Sequence, residues 1–139
     1  MKKLRYMLDS NVLMHLANRA DGHENIMQKL LDVNPSTCCV SAIVAFELKR
    51  KILRGDGRKT ERTALDALLA EFTVLPFDEE AANWSGYVAS VLEISGTKIG
   101  NYDNLIAGHA MSAALILVTD NVREFERTGQ PLENWRTRD

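Results

Sequence analysis

A chain of 139 residues fits one domain built around one hydrophobic core. Hydrophobic residues make up 45% and charged residues 26%, an ordinary globular balance, and no apolar run approaches the roughly 20 residues needed to cross a bilayer. A formal net charge of −2 excludes the overall basic character of a general nucleic-acid binder, yet Lys49, Arg50, Lys51, Arg54, Arg58, Lys59 and Arg62 form a local basic block.

Met1, Lys2 and Lys3 lead straight into a strand-like run with no signal-type apolar region, so a cytoplasmic location and no membrane association are expected. The first strand spans 4–8 and ends in Asp9. Helices follow over 11–18 and 24–33, and Asn34, Pro35 and Ser36 break the second. A strand over 37–41, rich in Thr, Cys and Val, precedes a helix over 42–53 that Gly55, Asp56 and Gly57 stop. Ala64, Leu65, Leu68 and Leu69 give 60–71 helical spacing. A short strand over 73–75 comes next, then a long helix over 79–94 with Asp78 as its N-cap. After a loop over 96–100, a helix covers 102–113, a fully apolar strand 115–118, and a short fifth strand passes through Leu132. This alternation predicts a single α/β domain over 1–139 with a mainly parallel sheet.

The two cysteines, Cys38 and Cys39, are adjacent in a strand, so their side chains point to opposite faces. They are expected to be buried thiols, neither a disulfide nor a zinc pair. Trp84 and Trp135 read as packing residues. His109, two turns past Asp103 on an apolar helix, reads as a polar core histidine before it reads as a general base.

Four carboxylates fall at points where α/β sheets bind ligands. Asp9 and Asp120 each end an apolar strand, and a helix cap or turn explains either alone. Glu47 lies at the edge of the apolar face of its helix, where an i,i+4 pair with Lys51 is the plain alternative. Asp103 heads an apolar helix face, where the helix dipole would suit it. Together they would converge on one sheet edge. Two unpaired carboxylates about 5 Å apart at an effective dielectric near 20 repel by roughly 3 kcal/mol, so such a cluster calls for a cation. All-oxygen donors favour Mg²⁺ or Mn²⁺ over zinc. Ser10, Asn11 and Thr119 are candidate donors that aim the carboxylates, or else caps. Arg50, Lys51 and Arg54 follow Glu47 on its own helix face, either to meet the phosphates of a nucleic acid or as a solvated surface.

The segments Tyr6-Met7-Leu8-Asp9-Ser10-Asn11, Ala45-Phe46-Glu47-Leu48, Gly100-Asn101-Tyr102-Asp103-Asn104-Leu105-Ile106-Ala107-Gly108-His109-Ala110 and Leu117-Val118-Thr119-Asp120-Asn121-Val122-Arg123-Glu124-Phe125 follow one another in a telling order. Leu132-Glu133-Asn134-Trp135 closes the series. With this order and spacing the chain resembles the PIN-domain ribonucleases, specifically the VapC-type toxins of bacterial type II toxin–antitoxin pairs. The resemblance implies a three-layer α/β/α sandwich with a mainly parallel five-stranded sheet. It implies an Mg²⁺ or Mn²⁺ pocket in which Asp9, Glu47 and Asp103 match the three principal acidic positions and Asp120 the more variable fourth. It also implies endonucleolytic RNA cleavage that inhibits translation, with the tRNA anticodon stem-loop as the first expected target. The implied partners are a homodimer mate and a small antitoxin, with operator DNA reached only through the antitoxin.

Three other readings compete. A stand-alone RNA-processing nuclease would use the same site. A phosphatase of the haloacid-dehalogenase type needs Asp-x-Asp after the first strand, where Asn11 stands instead of the second Asp. A non-catalytic doubly wound signalling module would need its acidic residues paired early in the chain and ending a central strand, whereas Glu47 falls on a helix.

Overall fold

The computed structural model describes residues 3–137. Five strands form an all-parallel sheet: β1 (Tyr6–Leu8), β2 (Cys38–Ser41), β3 (Thr73–Leu75), β4 (Ile116–Val118) and β5 (Leu132–Glu133), in the order β3-β2-β1-β4-β5. Tyr6 pairs with both Cys38 and Ile116, so β1 is the central strand. All three of its residues are buried, as are the four of β2, and runs this apolar suit strands covered on both faces.

Seven helices cover the sheet in three α/β/α layers: α1 (Ser10–Asn18), α2 (His23–Val33), α3 (Ala42–Arg54), α4 (Lys59–Ala70), α5 (Glu79–Ser95), α6 (Asn101–Ser112) and α7 (Val122–Phe125). Their starts are chemically marked. Asp9 caps α1, the Ser41 hydroxyl accepts from Ile43 N at 3.0 Å to cap α3, and Asp78 accepts from Ala81 N at 2.9 Å to cap α5. Gly55 and Gly96 end α3 and α5 in the left-handed conformation that costs glycine no Cβ clash. The expected elements stand with shifts of a residue or two at their ends. The four-residue α7 was not foreseen.

One continuous core joins β1, β2 and β4 to α1, α2, α3, α4 and α6 through residues such as Met7, Leu13, Val40, Leu48, Leu65, Ile106 and Leu117. Cys38 and Cys39 lie within it as free thiols, and burial pushes them up to about 11 and about 12. His109 is buried as well. Its Nδ1 lies 2.8 Å from Ser41 Oγ and its ring meets Phe77 edge-on, and burial pushes its pKa down, so it is a neutral core residue. Trp135 packs edge-on against Tyr6 and donates to Glu133 Oε1 at 2.8 Å. Trp84 differs from the packing role expected of it: it is 42% exposed and meets Tyr87 on the surface of α5.

Helices α5 and α6 touch through Gly108, where a Cβ would overlap the backbone N and Cα of Ser85. Gly108→Ala is therefore expected to destabilise by about 1–3 kcal/mol through overpacking, since backbone cannot swing aside as a side chain can. This outweighs the gain of up to ~1 kcal/mol in helix propensity. A thermal unfolding midpoint equal to or above that of the parent chain would refute it.

Candidate active site

In the order β3-β2-β1-β4-β5, connections leave β1 toward β2 on one side and β4 lies on the other, so the switch point of the sheet lies between β1 and β4. Crevices at the carboxyl ends of such strands are where doubly wound folds bind ligands. Asp9 sits there, its backbone N donating to Val118 O across the crevice at 2.9 Å.

Asp9 is 3% exposed and held by three donors. Ser10 N donates to Oδ1 at 2.8 Å. The Thr119 hydroxyl donates to Oδ2 at 2.8 Å, and Asn11 Nδ2 donates to the same oxygen at 3.1 Å. Asn11 Nδ2 also reaches Thr119 Oγ1 at 3.1 Å, which locks the three side chains together. The cap and the buried carboxylate are thus one residue. Asn11 and Thr119 reach Asp9 through their side chains, whereas Ser10 does so through its main-chain N–H. Burial raises the Asp9 pKa, the hydrogen bonds oppose that, and the nearby charge of Asp120 adds to it.

Glu47 and Asp103 face the same place from α3 and α6. Burial, followed by the charges of Asp9 and Asp103, pushes Glu47 up to about 7, with Arg50 opposing. Burial and the charges of Asp9 and Glu124 push Asp103 up to about 6. Asp9 acts on both of the other acids and Asp103 on Glu47, which marks the three as near neighbours. They are not a closed cage: among the described residues no three His, Cys, Asp or Glu side chains are drawn together as a metal's ligands would be. The pair between Glu47 and Lys51, the plain alternative for this glutamate, does not form. Lys51 Nζ instead binds Glu61 on α4 at 3.1 Å, and Glu47 Oε1 is left buried with no hydrogen-bond partner. An open cavity of about 460 Å³, lined by Glu47, Gly100, Asn101, Tyr102 and Asp103, leads to these carboxylates.

Asp120 ends at the same sheet edge but is engaged differently. Its Oδ2 lies 2.6 Å from His15 Nε2 and accepts from Arg136 Nη1 at 3.0 Å. Neither partner was foreseen. His15 stands one turn after Asn11 on α1, a spacing that places it on the site's side of the helix, whereas nothing local marks Arg136. Glu124 on α7 was also missed. It accepts from Gly100 N at 3.3 Å and from Asn121 Nδ2 at 2.9 Å, tying α7 to the loop that precedes α6.

The basic block divides between bracing and the site. Lys49 meets Asp66 at 3.4 Å, Lys51 meets Glu61, and Arg62 donates to the carbonyls of Gly55 and Gly57, all stitching α3 to α4 or its connection. Lys51 is thus committed to Glu61, away from the RNA role weighed for it. Arg50 lies over the rings of Phe46 and Tyr102, and Arg54, exposed, is 3.8 Å from Asp56.

A parallel 3-2-1-4-5 sheet with three acids at its switch point defines an α/β protein of the acidic-site class. The model of the PIN domain family matches residues 6–131, and the chain belongs to that family. It is similar to VapC proteins over almost its whole length. The tRNA(fMet)-specific endonuclease VapC of Salmonella typhimurium is 32% identical over 133 residues, 95% of this chain and 98% of that one. Ribonuclease VapC2 of Rickettsia felis is 33% identical over 132 residues, 94% and 97% of the two chains. Among solved structures, DNA-bound VapBC from Salmonella typhimurium gives a TM-score of 0.81 at 34% identity, covering 95% of this chain and 98% of that chain. VapBC2 from Rickettsia felis, bound to a DNA fragment from its promoter, gives 0.80 at 32%, covering 95% and 99%.

Proposed function

We propose that this chain is an Mg²⁺- or Mn²⁺-dependent endoribonuclease and the toxin of a type II toxin–antitoxin pair, which inhibits translation by cutting RNA. The observation that carries this reading is one Glu47 oxygen buried and lacking a donor, at a switch point that Asp9 and Asp103 also face closely enough for their charges to act on Glu47. The donor set fits a hard divalent cation, and an orphaned carboxylate oxygen is an acceptor in want of a positive partner. Asp9, Glu47 and Asp103 would hold the ion, with Asp120 outside them because His15 and Arg136 already engage it. When bound, such an ion eases the loss of a proton from water near neutral pH and offsets charge growing on the phosphoryl oxygens.

The chain's own residues do the rest. Thr119, Asn11 and the Ser10 N–H fix the direction of Asp9, so no reorientation is needed as the reaction proceeds. Glu47, through its buried and unpaired Oε1, is placed to orient the attacking water and take its proton. The water oxygen forms a bond to phosphorus as the bond to the 3′ oxygen breaks, leaving a 5′-phosphate and a 3′-hydroxyl. Arg50 and Arg54 lie along α3 from Glu47 and suit the flanking phosphates. Charge reversal at both is expected to weaken RNA binding and to flatten its salt dependence, by roughly one unit of slope for each phosphate no longer neutralised. An unchanged slope would remove them from the RNA path.

A tRNA substrate, first at its anticodon stem-loop, is supported by relatives named as tRNA(fMet)-specific endonucleases. A small antitoxin, through which operator DNA would be reached, is supported by the VapBC assemblies among the similar structures. A homodimer is supported by the stripe of Trp84, Tyr87, Val91 and Ile94 along α5, exposed at 42–88%. Among the described residues no helix is long and apolar enough to cross a membrane.

The test is cleavage of tRNA and unstructured RNA by the purified chain, with Mg²⁺ or Mn²⁺ and again in EDTA. Cutting that depends on the ion and returns on its re-addition is expected; cutting that persists in EDTA sinks the reading. A short reading frame upstream and overlapping this one is expected for a toxin, and its absence would favour a stand-alone RNA-processing nuclease.

A further inference from the structure

We propose that Phe46, Tyr102 and Arg50 form a nucleobase clamp at the rim of the acidic site, which stacks one unpaired base beside the phosphodiester to be cut and so selects single-stranded RNA. The proposal rests on the nuclease reading for what is cut, and on the geometry of the three side chains for how the RNA is held.

The two helices that deliver carboxylates also deliver the rings. Phe46 immediately precedes Glu47 on α3, and Tyr102 immediately precedes Asp103 on α6. Their centroids are 5.7 Å apart at an interplanar angle of 63°, so one ring forms a floor and the other a wall. The Arg50 guanidinium lies 5.7 Å from the centroid of Phe46 and 5.8 Å from that of Tyr102, joining both rings through one planar cation. Neither ring is taken up by the core: Phe46 is 49% exposed and Tyr102 38%. Tyr102 also lines the 460 Å³ cavity leading to Glu47 and Asp103, a volume within the roughly 300–1,000 Å³ of small-ligand sites.

Aromatic faces with an arginine beside them are the elements with which proteins hold single-stranded nucleic acid, because every base has a π-face. Arg50 can stack on a base with its plane while its N–H groups meet a phosphate. A base inside an A-form helix has both faces covered by its neighbours, so only loops, bulges and ends offer one to such a clamp. An apolar protein segment would gain little from the acids, whereas a nucleotide joins both halves of the arrangement: base on the rings, phosphate toward the carboxylates and their cation.

The experiment measures binding of a short fluorescent single-stranded RNA and its duplex to the full-length chain by anisotropy in EDTA at low salt, then steady-state cleavage in Mg²⁺. Phe46→Leu with Tyr102→Leu keeps apolar bulk and removes both π-faces; the half-exposed positions permit folding, checked by thermal unfolding. Single-strand affinity is expected to fall on the order of 10- to 100-fold, duplex affinity to stay, and the cleavage defect to appear as a raised KM. Phe46→Tyr and Tyr102→Phe, made in the parent chain, are expected to retain binding, and Arg50→Lys to retain it only in part. A leucine variant that binds single strands like the parent chain overturns the clamp and leaves the rings as the seat of a protein partner. If the parent chain cuts RNA and the leucine variant cuts it equally well, the clamp falls and the nuclease stands. If the parent chain binds single strands through the rings but cuts nothing, the nuclease reading falls and the clamp stands. A parent chain that neither binds nor cuts overturns both.

Discussion

Asp9→Asn is expected to lower RNA cleavage by about 10²- to 10³-fold or more, with the fold intact. The substitution preserves shape and removes charge where charge is held most firmly. With its amide oxygen toward Thr119 and Asn11, the new side chain keeps both of those hydrogen bonds and gives up only the one from the Ser10 N–H. That costs the fold about 1–3 kcal/mol, because a donor is left facing a donor. Removing a buried carboxylate whose pKa is raised by its burial offsets even that. Asp103→Asn should behave alike, because Asp103 faces the charges of Asp9 and Glu124 in a partly buried place. Loss of activity without loss of the thermal midpoint separates a charge requirement from misfolding. Undiminished cleavage by both variants would mean that the acidic edge is not the reaction site.

Asp120→Asn marks the contrast. Its carboxylate holds His15 and Arg136, 105 and 16 residues away in the chain, so its loss frees an imidazole and a guanidinium at the rim. The pairing of β4 with β1 brings Asp120 beside Asp9 and makes it resemble a fourth ligand in the sequence. That resemblance comes from strand-end chemistry, which is local and readable. Its partners come from tertiary closure: Arg136 arrives after β5 has paired in register with β4, and no periodicity signals that. Glu47 teaches the same lesson in reverse. Helical spacing offered Lys51 as its partner, but the packing of α4 against α3 brought Glu61 within 3.1 Å of that lysine. The result is a lysine spent on bracing and a glutamate left unpaired. Glu124 escaped notice because α7 is one turn long and carries too few residues to show a period. Strands and helices were legible because apolar runs and helical spacing are local signals, and Asp9, Glu47 and Asp103 stood out by their places at a strand end and on apolar helix faces. Charge pairing across elements was not, because it depends on which faces meet.

The unpaired acids lead to a second large effect, on stability. Glu47 has an ordinary pKa of 4.5 and is pushed up to about 7 in the fold; Asp103 goes from 3.8 to about 6. The folded metal-free chain therefore holds protons that the unfolded chain has released, and it is most favoured below the ordinary values. As pH rises from about 4 through 7, that advantage is lost, since the folded state must ionise acids it has desolvated and crowded. The thermal midpoint in EDTA is expected to fall by roughly 5 °C or more between about pH 5 and pH 8. Glu47→Gln removes the larger shift, so its midpoint in EDTA at about pH 8 should lie above that of the parent chain, with a flatter pH profile. The same variant should lose cleavage, because the group placed to take the proton of water is gone. Mg²⁺ or Mn²⁺ should raise the parent midpoint strongly at about pH 8 and weakly at about pH 5, where protons compete for the same oxygens, and should raise that of Glu47→Gln less. A chain that is stabler without its glutamate but inactive, and that responds less to the ion, would show that these residues are kept together for chemistry at the expense of the fold. A Glu47→Gln midpoint below the parent's in EDTA at about pH 8 would instead mean that Glu47 stabilises the fold through a partner, and the acidic site would lose the member with the orphaned oxygen.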